Sequence, residues 1–265
     1  MWKGFDLDYA LAGQVAIITG SDSGIGQGIA VEFAAQGAAV LVHYLLDKKG
    51  AESTLAQIKD AGGDGTITQG DVSKPEDVAR VFLDCENALG MPTILVNSAG
   101  IDASGKSIDE LAIDQFQKAI ATNLLGPFLA CREFVTRLKR AKSRGRIINI
   151  SSVHQDIPRA GAVDYDCSKG ALRNLTTTLA LELAPLKINV NGIAPGMILT
   201  PMNQEAMDDP AELKKQVQSI PWKRAGEPWE VARLAAYLAS KDADYVTGAT
   251  FVIDGGLMLN LGQGA

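Results

Sequence analysis

"VAIITGSDSGIGQGIAVEFAAQG", Val15 to Gly37, is the stretch from which the rest of the chain is read. It passes from a short apolar run rich in β-branched residues, through a turn holding Gly20, Gly24 and Gly26, into an apolar stretch that stops at Gly37. A continuous apolar run without alternation is the pattern of a strand buried on both faces. A glycine-rich turn at the end of such a strand lets backbone approach a pyrophosphate. The helix that follows adds unpaired N–H groups and a partial positive charge. Gly20, Ser23, Gly24, Ile25 and Gly26 are therefore candidate dinucleotide contacts. A glycine cluster alone is equally explained by a tight turn needing positive φ; the order strand, turn, helix favours the ligand.

The same rhythm continues outward. "AVLVHY" (39–44), "TILVN" (93–97), "RIINIS" (146–151), "KINVNGI" (187–193) and "TFVID" (250–254) read as further buried strands. Between them lie helical stretches: "GQGIAVEFAAQG" closes at Gly37, "KPEDVARVFLDCENALG" opens on Pro75, and "EPWEVARLAAYLAS" opens on Pro228. Alternating strand and helix predicts an α/β fold, a single Rossmann-type doubly wound parallel sheet with helices on both faces and ligands beyond the carboxyl ends of the strands. No linker or repeat divides the sequence, so one domain is expected over residues 1–265.

Composition narrows the function. Hydrophobic residues make up 46% and charged residues 21%, enough apolar material for a packed core. A formal net charge of −6 gives no basic field for a phosphate backbone, so nucleic acid is not an expected partner. Cys85, Cys131 and Cys167 have no C-x-x-C spacing, and His43 and His154 lie far apart, so neither a disulfide framework nor a metal site is expected. No run of 18 apolar residues exists, and "MWKGFDLDYALAGQ" carries acids where a signal peptide needs an apolar stretch. A cytoplasmic protein with no membrane partner is expected.

The spacing T-G-x-x-x-G-x-G from Thr19 to Gly26 resembles that of the short-chain dehydrogenase/reductase family. Further segments carry the resemblance in the same order: Asp71 and Val72 after the third strand, "NSAG" (97–100) with Asn97, Ala99 and Gly100, then Asn123, Ser152, the pair Tyr165 and Lys169, and "PGMILT" (195–200). The departure is Ser98, where the family has a second asparagine; slightly altered sheet hydrogen bonding is expected there. The resemblance implies an NAD(P)-dependent oxidoreductase acting on CH–OH groups, with hydride exchanged between a carbinol carbon and nicotinamide. It implies Tyr165 as acid or base, Ser152 on the substrate oxygen, Lys169 on the nicotinamide ribose, and Asn123 positioning a water that links the lysine to solvent. It further places Asp71 and Val72 at the adenine, Pro195, Gly196, Ile198 and Thr200 around the nicotinamide, and Tyr44, Asn97, Ala99 and Gly100 among the cofactor contacts. A lysine one helical turn from a tyrosine is expected to lower the phenol from its ordinary pKa of ~10. Cys167 reads as a small packing residue.

The second strand ends at Tyr44, where NAD-using members often carry an acid for the ribose 2′-OH. Neither that acid nor a basic residue at Ser23 or Leu45 is present, so NAD is expected to be used well and NADP tolerated, with Lys48 and Lys49 near enough to reach a 2′-phosphate. Within the family, "NISSVHQDIP" (149–158), "APGMILTPMN" (194–203) and "DYVTGATFVIDGG" (244–256) resemble the aldose dehydrogenases, the glucose 1-dehydrogenases among them. That implies a small neutral polyhydroxylated substrate held by Asp102, Ser152, His154, Tyr165 and Asn203, a substrate lid at about 196–225, and a homo-oligomer, a tetramer by resemblance. A carrier-protein or general ketone or polyol reductase is the alternative. A non-catalytic NAD(P)-sensing protein is the more distant one.

Overall fold

The computed structural model describes residues 10–260; residues 1–9 and 261–265, the ends of the expected domain, lie outside the described residues. In chain order the described elements are β1 (Val15–Thr19), α1 (Gly24–Ala35), β2 (Ala39–Tyr44), α2 (Lys48–Asp60), β3 (Asp64–Gln69), α3 (Pro75–Leu89), β4 (Ile94–Asn97), α4 (Ile113–Ile120), α5 (Gly126–Ala141), β5 (Gly145–Ile150), α6 (Val163–Leu183), β6 (Ile188–Pro195), α7 (Gln204–Asp208), α8 (Pro210–Gln216), α9 (Pro228–Ala239) and β7 (Thr250–Ile253). The strands form one seven-stranded parallel sheet in the order β3-β2-β1-β4-β5-β6-β7.

Side-chain alternation along each strand supplies both faces. Ile18, Val40, Val42, Val96 and Ile148 pack on one face against Ile29 and Phe33 of α1 and Val231 and Ala235 of α9. Ile17, Leu41, Leu95, Ile147 and Val190 point the other way, into Phe82 of α3, Phe134 and Leu138 of α5 and Leu183 of α6. These strand residues are fully or almost fully buried. Each such aliphatic side chain stabilises the fold by roughly 1.5–3 kcal/mol. Small residues set the spacing of the outer layer: a Cβ on Gly28 of α1 would stand 3.0 Å from Pro228 Cβ, so α9 begins directly on α1.

One strand has no counterpart in the sequence reading. Among the described residues β3, "DGTITQ", pairs only with β2; it is mostly half-exposed, and so needs no apolar run. The order in which successive strands are added reverses between β1 and β4, and a crevice opens beyond their carboxyl ends. On the crevice side, α4 runs into α5 through one wide π turn, Ala121–Leu125. Pro127 has no N–H to return to the carbonyl of residue 123, which is one reason the regular ladder breaks there. That turn carries Asn123.

Candidate active site

Gly20 (φ +61°) and Gly24 (φ +55°) take left-handed backbone, a conformation that favours glycine, and so bend the chain sharply out of β1. The turn is also packed too tightly for side chains. A Cβ on Gly26 would lie 2.1 Å from the Gly20 carbonyl oxygen, and one on Gly20 would lie 2.7 Å from Ala99 Cα. Ser23, at the start of α1, makes no side-chain cap, so the first N–H groups of the 12-residue helix are not consumed by one. A Cβ-free cradle below an uncapped helix N-terminus fits the pyrophosphate of a dinucleotide.

Around it lies a cavity of about 410 Å³. Gly20, Ser23, Gly24, Ile25, Gly26, Asp71, Val72, Ala99, Gly100, Tyr165, Lys169 and Thr200 line it. Five expected cofactor residues do not. Tyr44 is buried in the core, because successive strand residues face opposite ways; His43 faces the cavity instead, and Leu45 and Leu46 follow it there. Asn97 is also buried, its amide donating to Asn149 Oδ1 at 2.8 Å. Pro195 ends β6, Gly196 lies so close to Asp254 that a Cβ would come within 2.8 Å, and Ile198 packs in the core. The segment 195–198 thus aims Thr200 without lining the cavity. At the substituted position, the backbone N–H groups of Ser98 and Ala99 both donate to Thr19 Oγ1 at 3.1 Å. Asp22, Ile101 and Met202 are cavity residues that sequence reasoning missed; for His43, strict alternation along β2 was the available signal.

Ser152 follows β5, and Tyr165 and Lys169 stand one turn apart on α6; all three are buried. Lys169 Nζ lies 5.5 Å from the Tyr165 ring centroid and donates to the Ile150 carbonyl at 3.0 Å. The expected lowering of the phenol is not found. Burial pushes Tyr165 up to about 12, against a lowering by the Ser152 hydroxyl, and burial brings Lys169 down to about 8. Desolvation is the largest influence on both groups. Asn123, fully buried, accepts from Ile101 N–H at 2.9 Å and donates to the Ile101 carbonyl and to Ser168 Oγ, both at 3.0 Å. Ser168 Oγ donates in turn to the Tyr165 carbonyl at 2.7 Å, so the π turn is tied to the tyrosine's own helical turn. Cys167 is exposed, a correction to its reading as a packing residue; α6 turns that position outward.

The expected substrate residues separate. His154 stands edge-on to Tyr165, ring centroids 6.2 Å apart, and its Nδ1 meets the Ile157 carbonyl at 2.9 Å. Nδ1 must donate there, which leaves Nε2 of the neutral ring as an acceptor. Asp102 is half-exposed near Tyr165 and Lys169 and is paired with Arg159 at 3.4 Å. Asn203 is spent within its loop: Oδ1 accepts from Thr200 N–H at 2.9 Å and Nδ2 donates to the Ile198 carbonyl at 2.8 Å. It shapes the segment carrying Thr200, and it does not line the cavity. Beyond it, Leu213 of α8 packs with Val217, Ile220 and Ala225 of the following turn in a small cluster separate from the main core.

A family profile described as enoyl-(acyl carrier protein) reductase matches residues 20–258. Among curated relatives, glucose 1-dehydrogenase 2 of Bacillus subtilis (strain 168) is 39% identical over 249 residues, covering 94% of this chain and 96% of its own. The 3beta-hydroxysteroid dehydrogenase 1 of Eggerthella lenta is 42% identical, covering 96% of this chain and 98% of its own. Among solved structures, a gluconate 5-dehydrogenase from Burkholderia cenocepacia J2315 in complex with NADP and tartrate superposes with a TM-score of 0.88 at 32% identity, covering 96% of this chain and 99% of its own. Fold and glycine turn define a dinucleotide-binding α/β oxidoreductase. The chain belongs to the short-chain dehydrogenase/reductase family, enzymes that use NAD(P) to act on CH–OH groups. Among the described residues no helix is long and apolar enough to cross a membrane.

Proposed function

We propose that this enzyme is an NAD-preferring aldose dehydrogenase that oxidises the C1 hydroxyl of a sugar to the lactone. The observation that carries the reading is the grouping around Tyr165 of Ser152, Lys169, His154 with its free Nε2, and the Asp102–Arg159 pair. A bound nicotinamide supplies the hydride acceptor. Tyr165 takes the hydroxyl proton, Ser152 holds the same oxygen, and Lys169 carries the ribose hydroxyls with its amine beside the phenol. His154 and Asp102 accept hydrogen bonds from the remaining hydroxyls. Cytoplasmic location and a homotetramer come with the family resemblance and belong to the same proposal.

The test is initial rates on aldoses, aldonates, a 3β-hydroxysteroid, acyl carrier substrates and simple secondary alcohols. Aldoses should lead by at least tenfold in kcat/KM, and Asp102→Ala should raise sugar KM by about 5- to 100-fold, the 1–3 kcal/mol of an unmatched polar partner. Equal rates on sugars and simple alcohols, or an unchanged sugar KM in the variant, removes the aldose reading. One observation favours a second reading. Arg159 offsets the Asp102 charge that would repel an anion, so a sugar acid, the substrate type of the structurally similar gluconate 5-dehydrogenase, is the named runner-up. It wins if aldonates outrun aldoses and Arg159→Ala abolishes that advantage.

Cofactor preference rests on the cavity wall. Asp22 lies on it with a carboxyl pKa raised chiefly by burial and secondarily by nearby Asp47, and Leu45 and Leu46 offer no positive charge. A 2′-phosphate there would meet the Asp22 carboxylate, with Asp47 near it. NAD is expected to exceed NADP in kcat/KM by about tenfold, roughly 1.4 kcal/mol, and Asp22→Asn should narrow the gap. A preference for NADP in the unaltered enzyme would show that the lysines at 48 and 49 decide the matter.

A further inference from the structure

His43 is buried at the end of β2 and enters none of the steps above. Its Nδ1 lies 3.1 Å from the Gly20 backbone N–H, and its Nε2 lies 3.0 Å from the Gly70 carbonyl. Gly20 can only donate and Gly70 can only accept there, so Nδ1 must carry the lone pair and Nε2 the hydrogen. Two backbone groups therefore dictate one neutral tautomer. Protonation would set Nδ1–H against the Gly20 N–H.

The two loops joined this way are the glycine turn after β1 and the β3–α3 loop that carries Asp71 and Val72, both on the cavity wall. Backbone lacing surrounds the ring: Ser21 N–H donates to the His43 carbonyl, and Gly70 N–H donates to the Tyr44 carbonyl. Ser21 Oγ accepts the His43 N–H at 2.9 Å and donates to the Ile18 carbonyl at 2.7 Å. Space beneath the ring is closed. A Cβ on Gly70 would stand 3.0 Å from Val81 Cγ2 and 3.6 Å from His43 Nε2.

We propose that His43 is a positioning residue for the dinucleotide: as a neutral Nε2–H ring it clamps the glycine turn to the β3–α3 loop and fixes the distance between the two walls of the adenosine end of the cleft. Burial keeps the ring neutral by pushing its pKa down to about 4, against the Gly70 carbonyl and the carboxylates Asp71 and Asp77, which favour the charged form. Ser21 and Thr54 face this region without charge. The clamp acts through backbone, so it should govern cofactor affinity and leave proton transfer at Tyr165 alone.

Asparagine and glutamine split the two bonds. Asn keeps an acceptor where Nδ1 stands, and Gln keeps a donor where Nε2 stands. NADH titrations of wild type, His43→Asn, His43→Gln and His43→Leu are expected to show about 5- to 30-fold weaker binding for each single-bond variant and at least about 50-fold for Leu, with kcat at saturating cofactor within about threefold. NADH affinity within twofold of wild type in all three, or kcat falling in step with affinity, overturns the proposal. Nitrogen-15 imidazole spectra of the unaltered protein test it without substitution. One ring should show the Nε2–H tautomer, stay unprotonated from pH 5.5 to 8, and shift when NADH is added. An Nδ1–H tautomer, a midpoint inside that range, or no response to NADH would each overturn it.

Discussion

Tyr165→Phe is expected to lower kcat for alcohol oxidation more than a hundredfold, at least ~3 kcal/mol of transition-state stabilisation, while NADH affinity stays within about twofold. The ring keeps its place against His154 and the cavity wall, and only the hydroxyl beside Ser152 is lost. In the unaltered enzyme the phenol stands at about 12, so the tyrosinate needed for oxidation grows as pH rises. The rate should therefore climb from neutrality into the alkaline range. Retention of more than a hundredth of kcat, or a flat profile from pH 6 to 10 with chemistry limiting, would remove Tyr165 from the role of base.

Lys169→Met should do two opposite things: abolish useful turnover and make the protein more stable at pH 7. Burial drops Lys169 from its ordinary 10.5 to about 8, a penalty on the charged native state of about 3 kcal/mol. The sign follows from proton counting. Below pH 8 the amine is charged in both folded and unfolded chains, and the penalty is felt in full. Between about 8 and 10.5 the folded chain sheds its proton first, so the penalty fades and this group's contribution becomes less unfavourable as pH rises. Methionine fills the same channel uncharged, at the loss of the hydrogen bond to the Ile150 carbonyl. A net gain of about 1–2 kcal/mol at pH 7 should appear as a rise of ~2–4 °C in Tm per kcal/mol, shrinking toward pH 10. Thermal melts at both pH values check it. A lower Tm at pH 7 would mean that Lys169 supports the fold, and undiminished turnover would take it out of the chemistry.

Together these expectations describe a site assembled against local stability. A charged amine is buried for its work beside a phenol, and Asn123, Ser168 and the π turn hold both in place. The surrounding sheet contributes what the site does not, through strands such as β1 and β4 that are apolar on both faces.

Legibility followed burial. β1, β2, β4, β5 and β6 could be read because buried parallel strands must be continuous apolar runs, β7 because this half-exposed edge strand still carries the apolar run "FVI", and the glycine turn because only glycine fits its backbone. Tyr165, Lys169 and Ser152 were legible through fixed spacing along one helix and one strand end. β3 was not, since an edge strand half-exposed on its faces needs no such run.

Sequence alone, then, determined the parallel α/β sheet, the place of the glycine cradle and the family, because each depends on local pattern that no distant contact alters. Tertiary structure alone decided which neighbour of a pair faces the cavity, His43 and not Tyr44, that Asn203 was already spent within its own loop, and that Asp102 stands paired with Arg159. It also reversed the expected direction at Tyr165, for desolvation depends on everything packed around a group and spacing along a helix does not record that.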